Sequence, residues 1–484
     1  MRGIAGAWLA AALIAAPALG EEPFEEPAVV TTHRFAAAGV GAFDYRAEAG
    51  RVAIRDAETG VPRARMFYVA YVRAQPAGAP PRPVLFVWNG GPGAPSTTLQ
   101  FEFAGPKRLD GERMVDNPET LLAHADLVFV DMVGSGFSRL ARADEAPAFY
   151  GTIADTRAFA EFVRAWRATH GAEAAPTYLM GESFGSARAG QVAYLLGQAG
   201  TPVSGVVLIS GGLGLPDATP PALASALHVV DLAATVRAGG KGGGEDDAAT
   251  EAWARRVYAP ALDRAAALPA AEREAVVARL AALTGMPPAR IDARTLRFTP
   301  RAWLEATSPA ATPRNAYDMR LTAEPVVAEA RMVAQLRGPL GYRTSLPYWG
   351  IEPVERGFSP DGTFPEGVNA RWNWATQKMT PEEVQAEYRR AAAAGDGPPR
   401  LGPPPPGTAE AMRAAPALRV LVATGLYDSY NSCAANRERV VRLPADLTPR
   451  VTFRCYPGGH MMYRDAPARR ALSNDVAALL AAGE

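Results

Sequence analysis

The sequence predicts an α/β protein, with a mostly parallel central sheet and a helical cap inserted into it. Two observations predict this. Short apolar runs of strand length alternate with helical patterns from residue 83 to residue 215, and strands return after residue 411. Between about Pro216 and Pro406 strand-like runs disappear and helical segments dominate. The 484 residues, 48% apolar and 21% charged, are ample for a buried core. A net charge of zero gives no electrostatic footprint for nucleic acid.

Taken in order, residues 1–20 read as a secretory signal peptide: Arg2, an apolar run from Ile4 to about Ala16, then Ala18-Leu19-Gly20 before a cut at Glu21. The run is shorter than the ~20 residues a membrane span needs, which favours cleavage over an anchor. No later stretch could span a membrane, so the mature protein is expected in the periplasm or outside the cell. Residues 21–35, acidic and Pro-containing, read as a loose lead-in.

The core is expected in two parts, 21–215 and 411–484, with the cap as 216–410 between them. Ala42–Asp56 and Ala64–Ala74 read as antiparallel strands at the sheet edge, parted by the turn Glu58-Thr59-Gly60. Pro83–Trp88 is an apolar strand that runs into Asn89-Gly90-Gly91-Pro92-Gly93, a density of glycine that marks a sharp turn or a close approach. Asp126–Asp131 is a buried strand, Ile153–Thr169 an amphipathic helix, and Val206–Ser210 another strand.

In the cap, helices are expected over Leu223–Arg237, Ala249–Ala267, Ala270–Leu283, Pro325–Leu336 and Pro381–Ala394. Gly239–Gly244 reads as a flexible spacer and Gly397–Gly407 as a stiff Pro-rich connector. Trp303, Trp349, Trp372 and Trp374 pack the cap, with one or two free to line a pocket. Leu418–Thr424 and Val451–Tyr456 are strands, and Asp465–Ala482 is a closing helix.

The chemistry centres on residues 177–196. Thr177–Met180 reads as a strand, Gly181-Glu182-Ser183-Phe184-Gly185 fits G-x-S-x-G, and Ser186–Leu196 reads as a helix. Strand, tight turn and helix make a nucleophile elbow; the alternative is a Gly-rich turn with no chemistry. A serine hydroxyl needs a base, and an acid must fix the base's tautomer. Five histidines are available. His33 lies in the N-terminal arm, His124 at the wrong end of a strand, His170 at a helix end and His228 inside a cap helix. His460 alone follows a strand's C-terminal end on a Gly-rich turn, where open α/β sheets place their sites. Asp428 sits likewise after the preceding strand, and the order Ser183…Asp428…His460 is that of α/β-hydrolases. Asp131 precedes the serine and is read as structural.

Several stretches then resemble the motif set of serine carboxypeptidases. They are Trp88-Asn89-Gly90-Gly91-Pro92-Gly93, Gly105-Pro106, Gly134-Ser135-Gly136-Phe137-Ser138, the Ser183 elbow and Gly459-His460-Met461. Leu283-Thr284-Gly285 and Asp318-Met319-Arg320 resemble the bacterial branch. The resemblance implies an α/β-hydrolase fold, a triad of Ser183, Asp428 and His460, and an oxyanion hole from the Gly91 and Phe184 N–H groups. It also implies that Asn89, Gly90 and Glu182 bind the terminal carboxylate of a peptide with a free C-terminus. The family places a second acid just before its Gly-Pro motif. Here that position is Phe103, and the nearest acid, Glu102, is one residue out of register, with a solvent-facing charge as the alternative to a place in the clamp.

No cofactor and no metal cluster are expected. Cys433 and Cys455 permit one disulfide; spacing does not decide, and two separate thiols are preferred by a small margin. An esterase or acyltransferase on the same machinery, or a silent binding protein, stand as alternatives to the carboxypeptidase.

Overall fold

A computed structural model describes residues 27–240, 246–308, 312, 314–322, 329–350, 368–394 and 401–482. The expected signal peptide, residues 241–244 of the spacer, 325–328 of one expected helix and 397–400 of the connector lie outside the described residues.

The strands are β1 Val29–Ala37, β2 Gly41–Arg55, β3 Pro62–Arg73, β4 Val84–Trp88, β5 Lys107–Asp110, β6 Arg113–Asp116, β7 Asp126–Val130, β8 Arg139–Leu140, β9 Thr177–Glu182, β10 Gly205–Ile209, β11 Arg419–Gly425 and β12 Val451–Tyr456. The main sheet runs β1-β2-β3-β7-β4-β9-β10-β11-β12, with β8 against β3 and β5-β6 as a separate hairpin. β1, β2 and β3 pair antiparallel, as do β3 and β7; from β7 to β12 every pairing is parallel. This is the mostly parallel sheet that the alternation of strands and helices predicts, in the α/β-hydrolase architecture that the resemblance implies.

The parallel strands are continuous apolar runs because they are covered on both faces. Along β4, Val84, Phe86 and Trp88 point to one face, where they meet Phe159, Phe162 and Trp166 of the helix Thr152–Thr169 and Val192 and Leu196 of the helix Phe184–Gln198. Leu85 and Val87 point to the other face, where the closing helix Ala466–Ala481 lays down Leu472, Val476 and Leu480.

β10 and β11 are parallel neighbours, yet about 200 residues of chain separate them. That excursion builds a third apolar core of its own around Leu227, Tyr258, Leu280, Trp303 and Met319. Its helices include Pro221–Ala238, Ala270–Thr284, Pro300–Thr307, Glu329–Arg337 and Pro381–Ala394.

Three expectations are corrected. From Val29 the loose lead-in is already β1, an edge strand paired with β2 over its whole length; apolar and polar residues mix on both faces, Val30 and Arg34 outward and Thr31 and Phe35 inward, which hid the alternation. The helix expected over Ala249–Ala267 is continuous from Asp247 to Asp263 but ends earlier than expected, before the short turn Ala265–Ala267, and is wound wider over Ala254–Tyr258. Pro260 lacks the N–H that regular α-helical winding needs there. Cys433 and Cys455 are joined in a disulfide rather than separate.

Candidate active site

The elbow is built by backbone constraint. Ser183 has φ 58 and ψ −125, a conformation that side-chain-bearing residues avoid. The turn holds because Ser183 N–H donates to the Ile209 carbonyl at 2.8 Å, and Ser186 Oγ bonds the Gly181 and Ile209 carbonyls at 2.8 Å each. A Cβ on Gly181 would overlap the Gly185 carbonyl, so only glycine lets strand and helix cross this closely.

The glycine loop after β4 packs on the elbow. A Cβ on Gly90 would lie 2.6 Å from both the Glu182 carbonyl and the Phe184 nitrogen. Trp88 Nε1 donates to the Gly185 carbonyl at 2.9 Å, and Arg188 Nη1 to the Asn89 carbonyl at 2.9 Å. Arg188 is buried and ion-paired to Asp155 at 2.6 Å. Among the described residues neither the Gly91 nor the Phe184 N–H has a hydrogen-bond acceptor.

Asp428 and His460 come from the loops after β11 and β12, at the same edge of the sheet. Asp428 Oδ2 lies 2.8 Å from His460 Nδ1. Asn431 Nδ2 donates to Asp428 Oδ2 at 2.8 Å and to the Ser210 carbonyl at 2.9 Å, while Tyr430 N–H donates to Oδ1 at 2.9 Å. Burial pushes the imidazole pKa down, but the charge and hydrogen bond of Asp428, with Glu182 adding to them, outweigh this and leave it raised. His460 Nε2 is buried without a hydrogen-bond partner among the described residues, and it makes no hydrogen bond to Ser183.

Segments on either side hold these loops. Tyr317 accepts the His460 N–H on its carbonyl, and its ring centroid lies 5.3 Å from the imidazole. Ala316 O accepts from Ser429 Oγ at 2.7 Å, and Met319 N–H donates to the Tyr427 carbonyl at 2.9 Å. The Cys433–Cys455 disulfide joins the helix that follows Asp428 to the strand that leads to His460.

Glu182 is buried beside this pair. Its Oε1 accepts from Asn89 Nδ2 at 2.9 Å and its Oε2 from Tyr463 Oη. Burial raises its pKa, against the pull of His460, Tyr463, Arg464 and Asn89. Phe103 points inward and stacks on Tyr463 at 5.4 Å. Glu102 is corrected from a solvent-facing charge: it pairs with Arg464 at 2.7 Å and is 15% exposed.

Asp131 behaves as expected of a structural acid. Its Oδ1 accepts from Ser96 N and Oγ at 2.7 Å each, and burial pushes its pKa up to about 6. Of the cap tryptophans, Trp303 and Trp372 are buried, while Trp374 is partly exposed; the rings of Trp372 and Trp374 stand edge-on to Phe184 at 5.3 and 5.7 Å. Trp349 stacks under Arg139.

The sequence reading did not single out Arg188, Tyr317, Asn431 or Tyr463. The last two had a signal: each lies three residues from a candidate acid or base, on the same loop. Arg188 and Tyr317 act across the fold and had none. Among the described residues no cluster of His, Cys, Asp and Glu could hold a metal ion, and no helix is long and apolar enough to cross a membrane.

Fold and site together define the class: a serine hydrolase of the α/β-hydrolase fold. The model of the serine carboxypeptidase family matches residues 42–199, the stretch that holds the glycine loop and the elbow, and bears out the resemblance there. No curated protein matches the chain. Among solved structures, the chain is similar to a prohormone-processing carboxypeptidase, Kex1(Δ)p, of Saccharomyces cerevisiae, with 13% identity over 89% of this chain and 90% of that one and a TM-score of 0.48. It is also similar to a proline iminopeptidase of Mycobacterium smegmatis, with 14% identity, 90% and 98% coverage and a TM-score of 0.35. A homoserine O-acetyltransferase of Staphylococcus aureus matches with 11% identity, 89% and 95% coverage and a TM-score of 0.35. Likenesses at this level say nothing about activity.

Proposed function

We propose that the chain is an exported serine-type carboxypeptidase that releases C-terminal residues from peptides through an acyl-enzyme on Ser183. The observation that carries this reading is the Asp428–His460 pair, held at the sheet edge where the Ser183 elbow stands, with Nε2 of the imidazole left unpartnered. In the reaction, Ser183 Oγ attacks the scissile carbonyl and His460 Nε2 takes its proton. The Gly91 and Phe184 N–H groups receive the oxyanion. The imidazolium then gives its proton to the leaving amine as the C–N bond breaks. Water, deprotonated by His460, hydrolyses the ester and restores the hydroxyl.

Asn89, Gly90 and Glu182 hold the leaving residue's carboxylate in this reading. An ionised Glu182 would repel that carboxylate, whereas a protonated one can donate to it. Burial favours the proton, so the clamp works at pH values above the ordinary 4.5 of the group and weakens as pH rises through its raised pKa. The base must be neutral, and its pKa lies above the ordinary 6.5, so kcat rises with pH over that range. The two effects oppose, and kcat/KM for free C-termini passes through a maximum.

The segment 216–410 would act as the cap over the site. Export follows from the composition of residues 1–20 and from a disulfide of the kind that persists in oxidising compartments. N-terminal sequencing of the protein recovered from cell fractions, expected to begin at Glu21, tests it.

The deciding measurement is the hydrolysis of blocked dipeptides with free and with amidated C-termini. The free peptide is expected to turn over faster by roughly tenfold or more, the worth of one charge-assisted contact. Equal rates, or activity on simple esters alone, would replace the carboxypeptidase by an esterase or acyltransferase. A folded protein that a fluorophosphonate probe does not label would be a silent binder.

A further inference from the structure

Glu182 has a partner that its own neighbourhood in the sequence does not announce. Both its oxygens are taken by donors, Oε1 by Asn89 and Oε2 by the Tyr463 hydroxyl. Tyr463 is fully buried, and little freedom is left to it: Phe103 stacks on its ring at 5.4 Å, and its carbonyl accepts from Arg469 Nη1 at 3.0 Å. Phe103 is itself fully buried, so the ring pair has one arrangement.

The titratable and charged groups facing Glu182 come from three elements. His460 reaches it from the loop after β12, Arg464 and Tyr463 from the turn Met462–Arg464, and Glu102 acts from the turn Leu99–Ala104 through its pair with Arg464. Asp428 acts through His460. Among the described residues no second carboxyl hydrogen-bonds Glu182; the acid closest to that place, Glu102, is held by Arg464.

We propose that Tyr463 is a positioning residue of the carboxylate clamp, its hydroxyl fixing Glu182 Oε2 so that a phenol, and not a second acid, partners the group that meets the substrate's C-terminus. The inference rests on the carboxypeptidase reading. Two paired carboxyls share a proton and hold it tightly. A phenol does the reverse. Buried beside Glu182 its own pKa lies well above the ordinary value, so it stays a donor at every working pH. A steady donor favours the ionised carboxylate and lowers the pH at which Glu182 gives up its proton. Tyr463 thus sets the upper pH limit of the clamp as well as its geometry.

The test is Tyr463→Phe, which keeps the ring stack and removes only the oxygen, with Tyr463→Leu as a second variant that loses the stack too. Two readouts are followed. One is the titration of Glu182 by carbon-13 NMR of labelled glutamate, assigned with Glu182→Gln. The other is KM and kcat against pH for peptides with free and amidated C-termini. In Tyr463→Phe the Glu182 midpoint and the rise of KM for free peptides are both expected to move up by about one pH unit, the effect of one hydrogen bond to a charged group. KM for amidated peptides stays put, and the kcat limb set by His460 moves less than the Glu182 midpoint, because Asp428 outweighs Glu182 in raising the imidazole. Tyr463→Leu repeats the midpoint shift and adds a loss of thermal stability. A wild type that discriminates between the peptides, with a Tyr463→Phe midpoint and KM profile unchanged, overturns the role of Tyr463 alone. Equal wild-type rates on both peptides overturn the carboxypeptidase reading, and the clamp with it.

Discussion

On the serine side of the site the backbone does the positioning; on the histidine side, side chains and a cross-link do it. Ser183 is aimed by its own φ of 58, by the absence of a Cβ at Gly181 and Gly90, and by carbonyls of β9 and β10. Asp428 and His460 sit on loops whose shape depends on Asn431, on the carbonyl of Tyr317, on Ala316 and on the Cys433–Cys455 bridge. The first arrangement is local and rigid. The second joins residues more than a hundred positions apart, so it is where distant changes are expected to reach the chemistry.

The sharpest break is on the serine side. Ser183→Ala is expected to abolish fluorophosphonate labelling and to lower kcat by roughly a million-fold, the scale seen when a triad loses its nucleophile. Thermal denaturation should be nearly unchanged, because the half-buried hydroxyl makes no hydrogen bond among the described residues. On the histidine side the largest effect is on stability. Cys433→Ser with Cys455→Ser opens a bridge spanning 22 positions, and urea denaturation should show a loss of about 3 kcal/mol. The variant's kcat should fall with it, since the bridge ties together the supports of acid and base.

Asn431→Ala sharpens the comparison at single-contact scale. It frees Asp428 Oδ2 from the Ser210 carbonyl, and kcat should drop about tenfold, the worth of one hydrogen bond to a charged group, with KM little changed. The smallest effect concerns Asp231, buried on the helix Pro221–Ala238 next to the start of the helix Cys433–Val441. Burial pushes its carboxyl up to about 7, against the pull of Ser432 and of the Cys433 and Ala434 N–H groups. The folded state therefore holds this proton more tightly than the unfolded chain does. Its stabilising contribution is complete below the ordinary 3.8 and is lost as pH rises through about 7. Asp231→Asn should gain on the wild type by about 1 kcal/mol between pH 6 and pH 7, read from denaturation at the two pH values.

The same contrast explains what could be read in advance. The elbow, the glycine loop and the parallel strands were legible because each is a short-range device: a glycine where a Cβ would collide, an apolar run of strand length, a turn at its end. Asp428 and His460 were legible through their place after a strand, not through any motif strength of their own. β1 was missed because apolar and polar residues mix on both its faces, and the widened stretch before Pro260 because helical periodicity continues across it. The disulfide, the Glu102–Arg464 pair and the Tyr463–Glu182 bond were out of reach, since each links residues brought together only when β12 closes on the sheet.

The amino-acid order by itself determined the alternation of strands and helices, the helical excursion between β10 and β11, and the strained turn at Ser183, all consequences of local sterics and of apolar periodicity. The tertiary structure alone decided which donors surround Glu182, which acid Arg464 neutralises and what steadies the His460 loop. Those choices depend on side chains meeting across hundreds of positions, where direction and distance are set by packing of the whole sheet and its covering helices, and no short-range preference encodes them.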